Sequence, residues 1–279
     1  MSPLWFRALS ALLLIACAVL RPAAAADEPS ALARIRATGI LKVAVYDDFP
    51  PFSNKGAGID VDIGEALAAR LGVRMSAVWF DAGENMEDDL RNMVWKGHYL
   101  GRGPADVMMH APVDREFLAK VDQVKIFAPY HRERYAVGRL LDKLPVCDSF
   151  DQLGSMPFAV EGDTLAASVM LGRDGGRFQQ SLKAYKTGSG AVAALRAGAV
   201  VLAIAQQGEL ESGLTDDPRF AIDQPPDPVL QKRQWVLGLA VKSQNADLAE
   251  ALQAAMNELM ADGSIRRIME KHGVRHRQP

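Results

Sequence analysis

The pattern of apolar and polar positions is clearest between residues 41 and 72. An apolar run over 41–45 has the length of a buried strand. The pair Pro50-Pro51, shortly after it, cannot continue a hydrogen-bonded ladder and predicts a stiff loop that contains Phe49 and Phe52. Apolar residues then recur at helical spacing over 59–71, and Gly72 stands just past the predicted helix end. This stretch therefore predicts a strand, an aromatic loop and a helix.

The alternation of predicted strands and helices continues on both sides of this stretch. A short helix is predicted over 30–38, an alternating strand over 73–80, a helix over 86–95 and a third strand over 105–111. This order of strands and helices predicts a parallel sheet with right-handed crossovers. Residues 134–137 are predicted as a strand that crosses to a second unit.

The second unit begins near residue 139 and repeats the alternation. Its predicted strands are 157–160, 182–185 and 200–205, and its predicted helices are 165–171 and 190–197. The proline-rich, acidic stretch 218–228 predicts a surface loop. A strand over 235–242 is predicted to return to the first unit, which helices over 247–260 and 264–271 complete.

Composition narrows the possible functions. The chain is 49% hydrophobic and 24% charged, as in ordinary globular proteins. Its formal net charge of −2 argues against nucleic acid as a partner, because such a partner requires a basic face. The common catalytic and metal-binding motifs are absent from the sequence, so we expect no catalytic residue, no metal and no cofactor.

The N-terminus carries the pattern of a secretory signal. Arg7 precedes an apolar run over 8–20, and small residues at 23–26 offer a cleavage site, so residues 1–26 are predicted to be removed on export to the periplasm. The run is too short to span a bilayer. Cys17 lies in a lipobox-like context, which leaves a lipid anchor through Cys17 as the less favoured alternative. If Cys17 is removed, Cys147 remains alone and has no partner for an internal disulfide.

Two motifs at opposite ends of the chain resemble one family. The first is D-x-x-P-P-F over 47–52 followed by G-I-D-V-D-I over 58–63, and the second is L-G-L-A-V-K over 237–242 followed by a helix that ends in D-G-S-I at 262–265. Their order and spacing resemble the family 3 periplasmic solute-binding proteins, which serve polar amino-acid ABC transporters. The accessory branch of that family associated with quinoprotein dehydrogenases is a further resemblance.

The resemblance implies an α/β fold of two Rossmann-like lobes joined by two crossing strands, the type II periplasmic binding protein fold. Lobe 1 is predicted to comprise residues 27–137 plus 236–279, and lobe 2 residues 138–235. A ligand is then expected between the lobes, at the carboxyl ends of the strands, where open α/β sheets bind ligands.

Four candidate ligand contacts lie in the first lobe. The resemblance places Phe49 where an aromatic ring stacks on the ligand, and Tyr46 where an acidic residue is common. Arg115 is the candidate for the family's arginine, which binds a ligand carboxylate through its two-pronged guanidinium. His110, near the end of the third strand, can donate or accept a hydrogen bond to a ligand; a structural histidine at a strand end is the alternative. Core packing for the aromatic rings and a surface ion pair for Arg115 are the alternatives.

The second lobe supplies three more candidates. Asp163 and Thr164 resemble the family's turn at a helix N-terminus, where free N–H groups favour an anion; an ordinary helix cap is the alternative. Gln206 stands where the family has an acidic partner for the ligand's ammonium group. An amide cannot neutralise a cation, so the sequence predicts a small polar or anionic solute instead of an ordinary α-amino acid. Asp60 and Asp62 are interpreted as structural residues that cap the helix and anchor the loop.

Three functions follow from these observations. The first is delivery of a small solute to an ABC permease, and the second is an accessory role beside a periplasmic quinoprotein alcohol (methanol) dehydrogenase. The unusual insertion over 95–103 favours the second. The third, a dehydratase related to the family, would need a placed acid or base, for which only His110 and Glu161 are candidates. We therefore expect a binding protein and no enzyme.

Overall fold

The computed structural model describes residues 29–83 and 85–279. Over these residues the strands are β1 (Ile40–Tyr46), β2 (Asp48–Phe49), β3 (Ser53–Asn54), β4 (Arg74–Phe80), β5 (Val107–Pro112), β6 (Val124–Leu140), β7 (Phe158–Glu161), β8 (Leu182–Tyr185), β9 (Leu202–Gln206), β10 (Phe220–Asp223) and β11 (Gln234–Lys242). The helices are α1 (Ala31–Thr38), α2 (Ile59–Arg70), α3 (Met86–Leu90), α4 (Arg115–Leu118), α5 (Leu165–Gly172), α6 (Gly188–Arg196), α7 (Gln207–Leu214), α8 (Pro228–Lys232), α9 (Ala246–Ala261) and α10 (Ser264–Lys271).

The predicted signal segment, with Cys17, lies outside the described residues. Among the described residues, no helix has both the length and the apolar character needed to cross a membrane.

Two sets of parallel strands are joined by antiparallel strands at the centre of one sheet. The order is β4-β1-β5-β11-β6-β9-β7-β8, and β10 pairs with β6 outside this path. Strand β1 runs parallel to β4 and β5, and β7 runs parallel to β8 and β9. Strand β11 is antiparallel to β5 and β6, and β6 is antiparallel to β9. The α/β architecture with a mostly parallel sheet, predicted from the sequence, is confirmed.

The buried side chains divide at the central strands. Two hydrophobic clusters draw their buried members from residues 31–130 and 237–274, which we call the first core region. Two others draw theirs from residues 136–230, the second core region. The strand β6 is long enough to serve both regions, because it pairs with β11 over 124–134 and with β9 over 135–139. The sequence predicted only residues 134–137 of this strand.

One predicted loop is wrong. Within the stretch 218–228, the structure has the strand β10, which pairs antiparallel with the end of β6, and Pro228 begins α8. Phe220 is buried in the second core region, and this tertiary contact outweighs the turn signal of the surrounding prolines. Asp227 caps α8 by accepting hydrogen bonds from Val229 N and Leu230 N.

The predicted capping role of Asp60 is also wrong. The residue before α2 is Gly58, and α2 has no side-chain cap. Asp60 is instead buried and accepts hydrogen bonds from other elements, as described below. Asp62 bonds Lys271 Nζ at 2.8 Å and lies 2.7 Å from His272 Nε2, so it anchors the end of α10 to α2.

The last residues of the chain lie across both core regions. Arg132 N donates to Arg277 O at 3.0 Å, and His276 Nε2 lies 2.8 Å from Tyr130 O, which attaches the tail to β6. Arg275 N donates to Glu211 Oε2 at 2.9 Å, and the Arg277 guanidinium also bonds Glu211. Because Glu211 belongs to α7, residues 275–277 connect the second core region to the central strand.

Candidate ligand-binding site

A cavity of about 400 Å³ lies between the two core regions, at the carboxyl ends of the parallel strands. Tyr46, Pro112, Glu161 and Gln206, the last residues of β1, β5, β7 and β9, all line it. The apolar lining residues are Phe49, Ala82, Met86, Pro112, Trp235 and Leu237. The polar lining residues are Tyr46, Asp48, Asp81, His110, Glu161, Lys186, Thr187 and Gln206. The location agrees with the general rule for ligand sites in α/β sheets.

The aromatic loop forms one wall of the cavity. Phe49 lines the cavity, while Phe52 is fully buried behind it with a ring-centroid distance of 5.4 Å between the two. Phe49 also meets Tyr46 edge-on at 5.9 Å and His110 edge-on at 4.8 Å. Phe49 is therefore placed to contact a ligand, whereas Phe52 packs in the core. Trp235 of β11, which also lines the cavity, packs edge-on against Tyr135 at 5.5 Å.

Buried carboxylates orient the polar groups of this wall. Tyr46 Oη donates to Asp89 Oδ2 at 2.7 Å, and Gly83 N donates to Asp89 Oδ1 at 2.7 Å. Burial raises the pKa of the Tyr46 phenol well above its usual value, and burial also raises the pKa of Asp89. The phenol proton is thus committed to Asp89, and the phenol oxygen is left to accept.

His110 has a similar arrangement. Its Nδ1 lies 3.2 Å from Asp60 Oδ2, and Tyr130 Oη donates to Asp60 Oδ1 at 2.7 Å. A neutral imidazole that donates from Nδ1 has its Nε2 as an acceptor. The backbone of His110 is left-handed, with φ of 61°, a strained conformation for this residue type of the kind that clusters at functional sites.

The second core region contributes Glu161 and Gln206. Glu161 is half-buried, and burial raises the pKa of its carboxyl group, although Gly188 N–H donates to it. Gln206 Oε1 is buried and has no hydrogen-bond partner among the described residues. Gln206 N donates to Glu209 Oε2 at 3.1 Å, and burial raises the pKa of Glu209 well above its usual value.

Four of the seven predicted site residues line this cavity: Tyr46, Phe49, His110 and Gln206. The structure does not bring Arg115, Asp163 or Thr164 to it. Arg115 is the first residue of α4, whose cap is Asp114. Thr164 caps α5, accepting from Ala167 N at 3.3 Å and donating to Glu161 O at 2.8 Å. Their predicted ligand roles stay predictions.

Several residues that line the cavity were not predicted from the sequence as ligand contacts. Asp81, Lys186, Thr187 and Trp235 are among them. The signal that could have found Asp81 and Lys186 is position, since each directly follows a predicted parallel strand. Trp235 begins the predicted returning strand, which made it a candidate for the boundary between the lobes.

Solved structures share this fold at low sequence identity. An ancestral cationic amino acid solute-binding protein aligns with a TM-score of 0.67 at 18% identity, over 88% of this chain and 100% of that chain. An amino acid ABC transporter substrate-binding protein from Streptococcus pneumoniae, bound to L-arginine, aligns with a TM-score of 0.64 at 18% identity, over 88% and 98%. A solute receptor for L-cysteine of Neisseria gonorrhoeae aligns with a TM-score of 0.58 at 19% identity, over 88% and 93%.

The sequence itself matches no protein-family model and no curated protein. The structural likeness establishes the fold: the chain has the type II periplasmic binding protein fold of the amino-acid solute-binding proteins. The fold predicted from the two ends of the sequence is confirmed.

Proposed function

We propose that this protein is a periplasmic solute-binding protein of the family 3 type, which captures one small solute between two lobes for an ABC importer. The lobes are residues 27–137 plus 236–279, and 138–235. The separate hydrophobic clusters of the two core regions support this division. Binding would close the lobes by hinge motion at β6 and β11, the strands that connect them.

The cavity is the observation on which this proposal rests. Its lining comes from both lobes, its walls are largely apolar, and a few polar groups converge on it, which is the usual composition of a small-molecule site. Gln206 Oε1 is buried without a partner, and such an atom destabilises a protein by about 1–3 kcal/mol. A hydrogen-bond donor on a solute would remove that penalty.

Binding without catalysis fits the polar groups best. His110 and Glu161 could each move a proton, but no serine or cysteine nucleophile is among the described residues that line the cavity. We therefore propose no reaction at this cavity. After long incubation with the protein, NMR of the recovered solute is expected to show that it is chemically unchanged.

The accessory role beside a dehydrogenase is a second candidate, favoured by one surface. In the insertion over 95–103, Tyr99 is 88% exposed and Leu100 is 64% exposed. Large apolar side chains with this exposure are suited to a protein contact. Replacement of Tyr99 and Leu100 by serine should then weaken binding to the dehydrogenase partner and leave solute binding unchanged.

A ligand screen tests the proposed function. Thermal shift of the native protein with amino acids, small amines and small carboxylates should give at least one stabilising compound, because a ligand at 100 times its Kd adds about 2.7 kcal/mol. Phe49→Ala should remove that shift, since Phe49 forms a cavity wall. Val229→Ala is the matched control and should retain it, because Val229 is 52% exposed on α8 and does not line the cavity. A shift that survives Phe49→Ala would contradict the assignment of the cavity.

A further inference from the structure

We infer that the solute bound in this cavity is an organic cation without a carboxylate: an amine or guanidinium on an apolar body. This inference rests on the proposed function and names its ligand class. It departs from the small polar or anionic solute that the sequence predicts, and it derives from the charges, the hydrogen-bonding directions and the walls of the cavity.

The charges that face the cavity are mainly negative. Among the described residues that line it, Asp48, Asp81 and Glu161 stand against the single cation Lys186, and none is an arginine. Lys186 is exposed at the rim, whereas Glu161 is half-buried. Arg102 lies 3.6 Å from Asp81, but Asp81 is 81% exposed, so water screens that pair. A cation that enters the cavity thus meets a desolvated carboxylate in Glu161.

The uncharged polar groups of the lining are set to accept hydrogen bonds. Tyr46 Oη donates a hydrogen bond to Asp89, which leaves the phenol oxygen of Tyr46 free to accept one from a ligand. His110 Nδ1 lies 3.2 Å from Asp60 Oδ2, so Nε2 is the ring nitrogen left to contact a ligand. Gln206 Oε1 is an acceptor without a partner. A ligand that satisfies these three groups must therefore supply several N–H donors.

An anion lacks the corresponding donors. The N-terminus of α6 borders the cavity, and such helix ends commonly bind anions. Here Gly190 N already donates to Thr187 Oγ1 at 3.1 Å, and the N–H groups of Gly188 and Ser189 partly offset the rise in pKa of the neighbouring Glu161 and Glu209, so this helix end already faces two carboxyl groups. The carboxylate of an amino acid would face Asp48, Asp81 and Glu161, with Lys186 as the one cation and only Thr187 and the Gln206 amide as further donors among the described lining residues. Repulsion and an unpaired charge would both weaken its binding.

The apolar walls suit the body of such a cation. Phe49 and Trp235 line the cavity together with Met86. Aromatic faces attract ammonium and guanidinium groups by about 0.5–2 kcal/mol, more when the cation is desolvated. Glu161 therefore supplies the carboxylate partner for an ammonium group, which Gln206 cannot supply. What the described lining lacks is an arginine to bind a ligand carboxylate. Ordinary α-amino acids should still bind weakly, but because of their carboxylate and not because of their ammonium group.

Matched ligand series test this inference. Isothermal titration of the native protein compares phenethylamine, phenylalanine and 3-phenylpropionate, and then agmatine with arginine. We expect an amine without a carboxylate to bind, the amino acid with the same side chain to bind at least tenfold more weakly, and 3-phenylpropionate not to bind. Glu161→Gln should weaken the amine at least tenfold, while the same change on the surface of α9, Glu250→Gln, should have no effect.

The outcomes separate the two proposals. Tighter binding of 3-phenylpropionate or of an amino acid, with a loss in Phe49→Ala, would overturn the cationic ligand and leave solute binding in place. Equal binding of an amine to native protein and to Glu161→Gln would also overturn it. No heat and no thermal shift with any compound of the screen or of this series would overturn the proposed function itself. Circular dichroism of each variant confirms that it is folded.

Discussion

The free energy of unfolding of Glu133→Gln, relative to that of the native protein, is expected to be higher at pH 8 than at pH 5. Glu133 lies in β6 where the strand passes between the core regions, and its side chain is fully buried. It accepts hydrogen bonds from Gly208 N at 3.1 Å and Arg134 N at 3.0 Å. Burial nevertheless dominates and raises the pKa of Glu133 from 4.5 to about 7.

The raised pKa fixes the direction of the pH effect. Between pH 4.5 and 7 the folded state keeps a proton on Glu133 that the unfolded state has released, so its contribution to stability is lost as pH rises. A glutamine does not ionise and avoids this loss. At about 1.4 kcal/mol per pKa unit, the stability of Glu133→Gln relative to native protein should rise by about 2–3 kcal/mol between pH 5 and pH 8.

Urea unfolding at the two pH values measures this difference. Burial also lowers the pKa of the neighbouring His131 to about 3, but His131 is present in both proteins, and the comparison of variant with native largely cancels its contribution. Glu250→Gln, on the exposed face of α9, is the control and should show no pH-dependent difference. A stability difference for Glu133→Gln that is equal at pH 5 and pH 8 would contradict burial as the cause of the raised pKa.

Arg277→Met is expected to destabilise the protein by about 2–4 kcal/mol. The Arg277 guanidinium bonds Glu211, and the two side chains are only 15% and 11% exposed. Removal of one partner of a buried ion pair leaves the other charge uncompensated, which typically costs about 3–5 kcal/mol. The expected value is lower because Arg275 N and Gln207 Nε2 also donate to Glu211.

A double-mutant cycle isolates this pair. Arg277→Met combined with Glu211→Gln should recover part of the lost stability, because the second change removes the uncompensated charge. Arg219→Met breaks an exposed pair with Asp217 and should leave the unfolding free energy nearly unchanged. If Arg277→Met behaves as Arg219→Met does, the tail does not tie α7 to the central strand.

The elements predicted best from the sequence are those whose apolar pattern agrees with their tertiary contacts. The helix Ser264–Lys271 and the strand Leu182–Tyr185 have the predicted bounds, and the remaining predicted strands, apart from β6, differ mainly at their ends. The helix Gln207–Leu214 was not predicted because two of its residues are glycines. Both glycines serve close packing: a Cβ at Gly208 would lie 2.6 Å from Glu133 Oε2, and one at Gly213 would lie 2.5 Å from Val192. Sequence pattern alone cannot reveal such contacts.

The candidate site was predictable in part for the same reason. Tyr46, Phe49, His110 and Gln206 follow strands whose positions the sequence defines, and the structure brings them to one cavity. The net charge of the cavity was not predictable, because it depends on which of the carboxylates at and after the ends of β1, β4 and β7 line the cavity. The position of Arg115 depends on α4, a four-residue helix that the periodicity does not reveal.

A distance measurement across the cavity tests the central claim most directly. Glu87→Cys on α3 and Lys183→Cys on β8 are both exposed and lie on opposite sides of the cavity, in a Cys147→Ala background. Spin labels at these positions report the separation of the two lobes by double electron–electron resonance. With the most stabilising compound of the thermal screen at saturation, the distance distribution should shift to a single shorter distance, and Phe49→Ala should prevent the shift at the same concentration. An identical distribution with and without that compound would contradict closure of the two lobes on a solute.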